Sequence, residues 1–422
     1  MRAHLREIIC GMVAGIALHA AGFAAQQVTV GDCDGDGVVT VDEIIVGVNI
    51  ALGSAPLTDC ASLDADGNGA VTVDELITAV NNALAAPSQT TAFVVATDFQ
   101  TGSYATIGLD DRKVAPTTPG RQLGSDAIAR VFGGLLYVVN RFGSDNIQRL
   151  DPSQDFATRW QCSTGAGSNP NDIAVVNAGK AYVALFARAQ LLIVNPSPQP
   201  DCSDFVLGSI DLSAYADSDG IPDASQLAVV GDRLYVSLER LTNFVATEPG
   251  ALVVIDVNTD QVLSAITLTG KDPFGSTAGL TVIDGGILVS EVGSFGVNDG
   301  GIERIDLASG TAQGYVVTED DLGGDITDFV WVSEHLAYAI ISKADFSNAL
   351  VAFDPTTRMV TQTLVSSGNL ADIELDDRGE LFLADRSTTQ PGIRIFRASD
   401  GVELTSTPLA TGLPPFAIAF VE

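Results

Sequence analysis

The chain has 422 residues, with 21 Lys+Arg against 53 Asp+Glu and a formal net charge of −32. A field of that sign repels nucleic acid and anionic membrane surfaces and favours cations, which excludes nucleic acid as a partner. Its 42 glycines, 6% aromatic and 46% hydrophobic residues argue for short strands and tight turns rather than helical bundles, and the length calls for two or more folding units.

Residues 1–25, MRAHLREIICGMVAGIALHAAGFAA, join a basic start at Arg2 and Arg6 to an apolar run from Ile8 to Phe23 and small residues before Gln26. This is the pattern of a secretory signal peptide cleaved after Ala24 or Ala25. It implies a secreted, extracellular or periplasmic protein with no membrane span after signal cleavage. Cys33, Cys60, Cys162 and Cys202 then remain, an even number suited to an oxidising compartment. Of the pairings open to them, 33 with 60 and 162 with 202 keeps each disulfide within one region of the chain.

The stretch DCDGDGVVTVDE, residues 32–43, sets oxygen-bearing groups where a twelve-residue loop delivers them to a hard cation, at positions 1, 3, 5, 7, 9 and 12. Asp32, Asp34 and Asp36 fill the first three positions, the Val38 carbonyl and Thr40 the next two, and Glu43 the bidentate place. The same grammar recurs 32 residues later in DADGNGAVTVDE, with Asp64, Asp66, Asn68, the Ala70 carbonyl, Thr72 and Glu75. Two such loops in register predict Ca2+ as the cofactor. Each runs into an amphipathic segment, with Ile44, Ile45, Val48 and Leu52 and then Leu76, Ile77, Val80 and Leu84 at helical spacing.

Too few residues lie between the signal and Asp32 for an entering helix. A calcium loop followed only by its exiting helix, and duplicated, resembles the dockerin module of secreted bacterial proteins. The resemblance covers residues 26–86 and implies a small α-helical module of paired half EF-hands that binds calcium. Loop positions 10 and 11, which read the partner in that family, are Val41 and Asp42 and then Val73 and Asp74 in place of the common polar pairs. The implied partner is a cohesin-like domain or another extracellular protein.

Residues 87–90 form a linker, and from residue 91 to 422 one phrase returns: an alternating apolar strand, a Gly/Asp turn and a second strand. It appears in DAIARVFGGLLYVVN, DIAVVNAGKAYVAL, QLAVVGDRLYVSL, GLTVIDGGILVSE, DFVWVSEHLAYAI and DIELDDRGELFLAD, beginning at 126, 172, 226, 279, 328 and 372. Such a period predicts the blades of a β-propeller. PPFAIAF near the C-terminus supplies an innermost strand with nothing after it, while TAFVVATDF and SYATIGLDD supply outer strands with none before them. Joined, they close a seventh blade and remove the open sheet edges. LYVVN, residues 136–140, resembles the YVTN-type propeller repeat, with Val139 in place of Thr. The fold class expected is therefore mainly β, a seven-bladed β-propeller behind a small helical module.

Chemistry is sparse. After the signal only His335 remains, in a turn between two strands, while GSTAG at 275–279 misses a nucleophile elbow and GAGSNPND at 165–172 opens no helix. Asp126, Asp172, Gln226, Asp328 and Asp372 open inner strands near one channel mouth, either capping their own turns or holding a cation. DSDGIPD, with Asp217, Asp219 and Asp223, resembles a single thrombospondin type 3 calcium repeat and otherwise reads as an Asp-rich turn. The expectation is a secreted calcium-binding protein whose propeller is a binding or scaffold platform, with no catalytic residue assigned. The alternatives are a propeller hydrolase of lactonase or esterase type with a channel-mouth metal, and a cohesin-docked component of an extracellular polysaccharide-degrading assembly.

Overall fold

The computed structural model describes residues 30–33, 39, 41–65, 67–84, 90–115, 122–275, 277 and 279–421. The chain divides into two compact units, Met1–Ala86 and Pro87–Glu422.

In the first unit, helix α1 spans Val41–Ala51 and helix α2 spans Val73–Leu84. The start of α2 is a capping box: Thr72 N–H donates to Glu75 Oε2 at 2.8 Å, and Glu75 N–H donates back to Thr72 Oγ1 at 3.3 Å. Asp74 and Glu75 in its first turn also suit the positive end of the helix dipole. The helices approach closely because Gly47 faces Leu63 and Leu76; a Cβ there would lie 2.7 Å from Leu63 Cδ1. Cys33 and Cys60 are disulfide-bonded, as the spacing predicts.

The buried stripe matches the expected one only in part, with Ile44 and Leu76 packed against the core. Ile50 and Ala79 are enclosed with Leu63 and Val71, while Ile45, Val48, Leu52, Ile77 and Val80 are exposed. Helical spacing allows two apolar stripes on each helix, and close packing selects the one that carries Gly47 and Ala79. The side chain of Leu84 lies outside the described residues.

The second unit is a seven-bladed β-propeller. Its first blade comprises strands Ala127–Phe132, Leu135–Asn140, Asn146–Asp151 and Ala157–Ser163, and the next four blades repeat this antiparallel order. The sixth has three strands, supplemented by bridges Ile393 to Leu409 and Phe396 to Glu403. The seventh joins Pro415–Val421 to Thr91–Thr97, Gly102–Gly108 and Val114–Ala115, so the ring is closed by both ends of the unit as expected. Cys162 and Cys202 are bonded, linking the outer strand of the first blade to a loop of the second.

The core lies between blades. Because both faces of each sheet are covered, the second strands read as continuous apolar runs rather than the alternation expected; Leu336–Ser342 is buried at every residue but the first. These strands carry a recurrent aromatic, Tyr137, Tyr182, Tyr235, Tyr338 and Phe382, all buried. Some latch onto the next blade: Tyr338 Oη donates to the Ala398 carbonyl at 2.7 Å. Among the described residues no helix is long and apolar enough to cross a membrane.

Candidate functional site

Of the expected calcium ligands, Asp34, Asp36, Val38, Thr40 and Asp66 lie outside the described residues. In the second loop, Asp64 accepts the backbone N–H groups of Asn68 at 2.9 Å and Gly69 at 2.8 Å, and Glu75 accepts that of Ala65 at 2.8 Å. Asn68 Oδ1 accepts the Ala70 N–H at 2.9 Å. In the first loop, Glu43 Oε1 accepts the Cys33 N–H at 2.7 Å, the contact equivalent to that of Ala65 with Glu75. Asp32 and Glu75 are buried. No three His, Cys, Asp or Glu side chains among the described residues form a metal-holding group.

The channel aspartates join the expected local bonding to contacts that reach across blades. Asp172, Asp328 and Asp372 are buried, and each accepts a backbone N–H from the next blade's inner strand: Leu227 to Asp172 at 2.9 Å, Ile373 to Asp328 at 2.9 Å and Ile418 to Asp372 at 2.6 Å. They clasp neighbouring blades, and Asp172 and Asp328 also bond locally, accepting the N–H of Ile173 and of Phe329, each at 2.8 Å. Burial pushes all three carboxyls up, and Glu374 beside them rises to about 8 from the same cause. Arg130 Nε meets Asp172 Oδ1 at 2.8 Å, and its Nη1 donates to the Thr277 carbonyl at 2.8 Å. Asp126 pairs instead with Arg141, and Gln226 is buried in the third blade. His335 is an exposed turn residue, 3.2 Å from Thr356 Oγ1. Asp217, Asp219 and Asp223 hold turn groups; Asp223 Oδ2, for example, accepts the Leu241 N–H at 2.7 Å.

A concavity lies at one mouth of the ring. It has a volume of about 550 Å³ and is lined by Glu239 and Asp272, by the Asp126–Arg141 pair, and by Phe186, Phe244, Phe274 and Phe295. Arg141 Nη1 reaches Asn171 Oδ1 at 3.3 Å, and Asn171 Nδ2 donates to Ser225 Oγ at 3.0 Å, so the polar side of the wall is held by a chain of contacts. Phe274 and Phe295 meet edge to face, centroids 5.3 Å apart. Burial and then the Asp272 charge push Glu239 well above the glutamate range, while burial lifts Asp272 to about 7. The two carboxyls interact closely, and Glu239 is held the higher of the two. Asp272 is 6% exposed, and its Oδ1 accepts no hydrogen bond. A second cavity of about 480 Å³ adjoins it across Phe186 and Phe244 and is rimmed by Asp145, Asp219 and Asp223.

Of these mouth residues the sequence pointed to Asp126, Asp219 and Asp223 but not to Glu239, Asp272 or the phenylalanines. The overlooked signal is the turn after each second strand, which reads TDFQ, NRFG, LFAR, TNFV, GSFG and ADFS in six blades. An apolar period followed along the strands passes over a phenylalanine that recurs in the turns.

No protein-family description and no curated protein matches the chain. Solved structures do. A 6-phosphogluconolactonase candidate from Bacteroides fragilis superposes with a TM-score of 0.56 at 14% identity, covering 80% of this chain and 99% of that one. A functionally unknown protein from Desulfotomaculum acetoxidans gives 0.53 at 10% identity, covering 79% and 99%. Hydrazine synthase of Kuenenia stuttgartiensis gives 0.52 at 14% identity, covering 71% and 92%. At such identities the likeness defines the fold, a β-propeller, and leaves the chemistry to the site itself.

Proposed function

We propose that this is a secreted, calcium-binding protein whose propeller is a binding platform that engages its ligand at the phenylalanine-lined mouth. One observation carries the platform: Asp272 Oδ1 is buried in the wall of a large cavity and lacks a donor, so the fold leaves an acceptor for a group from outside. The two disulfides suit an oxidising compartment.

Asp32, Asp34, Asp36, Val38, Thr40 and Glu43 would hold one Ca2+, and Asp64, Asp66, Asn68, Ala70, Thr72 and Glu75 a second. Oxygen donors of this kind suit a hard cation, and backbone N–H groups already fold Asp64 and Glu75 into one loop. Bound calcium would neutralise the clustered carboxylates and tie each loop to its helix. The exposed stripe of Ile45, Val48 and Leu52, matched by Ile77 and Val80, supports a protein partner for this unit, cohesin-like or other. Calcium added to the whole chain is expected to slow amide exchange across residues 64–84; exchange indifferent to calcium would defeat this part.

A hydrolase is the second reading, favoured by the Glu239–Asp272 pair, whose unequally raised carboxyls offer the acid and base such chemistry needs. A panel of lactones and aryl esters separates the two readings. Turnover absent from wild type supports the platform, whereas turnover abolished by Glu239→Gln would replace it with an enzyme.

A further inference from the structure

We infer that the mouth recognises a protein segment that is both cationic and apolar, seating a Lys or Arg against Glu239 and Asp272 while flanking apolar side chains rest on the ring of phenylalanines. This rests on the platform reading and names its ligand. Six of the seven turns between second and third strands carry a phenylalanine: Phe99, Phe142, Phe186, Phe244, Phe295 and Phe346. Antiparallel pairing puts all of these turns on one face. Phe244 is 87% exposed, Phe346 78% and Phe142 74%; among the described residues the other exposed phenylalanine, Phe132, lies in a first-to-second strand turn on the opposite face. Apolar exposure repeated around one rim marks an interaction surface rather than scatter.

Backbone geometry points the same way. Phe99, Phe244 and Phe346 have φ of 62°, 61° and 63°, a left-handed region that bulky residues rarely adopt and that Gly or Asn would fill without strain. Local turn folding therefore does not account for an aromatic there.

The seventh turn shows what the ring accepts. It carries Arg386, whose guanidinium lies 4.7 Å from the Phe99 ring centroid and 5.6 Å from that of Phe416. A cation already stacks on this face. Beside the ring, Asp272 offers its unpartnered oxygen, and Asp219 and Asp223 rim the adjoining cavity. The cavity of about 550 Å³ accommodates a long basic side chain, whereas the phenylalanines extend over six blades. A small molecule would leave most of that ring uncovered. The formal charge of −32 disfavours an anionic membrane and complements a basic segment.

The test uses the whole chain and three fluorescein-labelled synthetic peptides: one alternating Lys with Leu and Phe, a second with Glu for every Lys, and a third with Ser for every Leu and Phe. Anisotropy is expected to rise only with the first. Phe244→Ser with Phe295→Ser, and separately Glu239→Gln with Asp272→Asn, should each weaken binding about tenfold or more, while Phe132→Ser leaves it unchanged. Equal binding of the acidic peptide, or indifference to both mouth variants, overturns the inference. Neutral oligosaccharides or zwitterionic vesicles bound through Phe244 in place of the cationic peptide would keep the platform and overturn this ligand. Binding of none of these probes would overturn both.

Discussion

The exposed turns and the buried mouth of the propeller use the same residue types to opposite ends. On the face of third-to-fourth strand turns, Asp256 and Asp306 accept hydrogen bonds from their own turns, Asn258 N–H at 2.8 Å and Ser309 N–H at 2.7 Å. The Thr259 and Asn258 N–H groups hold Asp256 below the usual carboxylate range, and the Ser309 hydroxyl and N–H do the same for Asp306. On the mouth face, burial instead pushes Asp223, Glu239 and Asp272 up, and Asp272 keeps an oxygen without a donor. The difference is where the donors come from. An exposed turn aspartate, Asp98 and Asp345 on the mouth face included, is satisfied within a few residues by its own backbone, whereas a buried mouth carboxylate such as Asp272 stands between blades and is met only by what the ring brings to it. Repetition alone therefore does not distinguish structural acids from available ones; hydrogen-bond satisfaction does.

Removing clasping and turn aspartates sharpens this contrast most. Asp328→Ala strips the acceptor from the N–H groups of Phe329 and Ile373, both buried, and is expected to cost about 2–5 kcal/mol. Asp306→Ala, in an exposed turn, is expected to fall well below that. Denaturant unfolding measures both, and equal losses would break the comparison.

A smaller effect follows from pH. Burial, then the neighbouring Glu303 carboxyl, pushes Glu291 up to about 9 from 4.5, and burial takes Glu319 up to about 8 from 4.5. With folded values above unfolded ones, the unfolded chain loses these protons first, so this stability is complete below the unfolded value and is lost as pH rises toward 9. Melting temperature is expected to fall between pH 5 and pH 9, and Glu291→Gln should flatten the decline. Asp306, held low, acts with the reverse sign: its contribution is present above the unfolded value and is lost as pH falls through the folded one. Asp306→Asn should therefore leave the alkaline limb intact.

The smallest effect is also the most specific. Phe244→Gly relieves the positive φ and gives up little packing, so it is expected to stabilise the propeller by less than about 1 kcal/mol while weakening the mouth's ligand binding. A calorimetric melting temperature that drops would mean that Phe244 serves the fold.

Much of this architecture was legible without coordinates because its causes are local. Apolar runs such as LLYVVN and ELFLAD, broken by Gly/Asp turns, mark blades; PPFAIAF and TAFVVATDF mark the closure, and region-by-region pairing places both disulfides. Other features depend on which distant backbone a side chain meets. Besides the N–H of its neighbour Ile173, Asp172 accepts one from a residue 55 positions away, supplied by the curvature that sets one inner strand beside the next. Glu239 and Asp272 become an interacting pair only because a second-strand end and an interblade connection converge on one cavity, and burial there, invisible in the order of residues, raises both carboxyls. The helices α1 and α2 follow the same division. Their periodicity was written in the chain, but which of two apolar stripes turned inward was decided by the close approach at Gly47, a steric fact of packing.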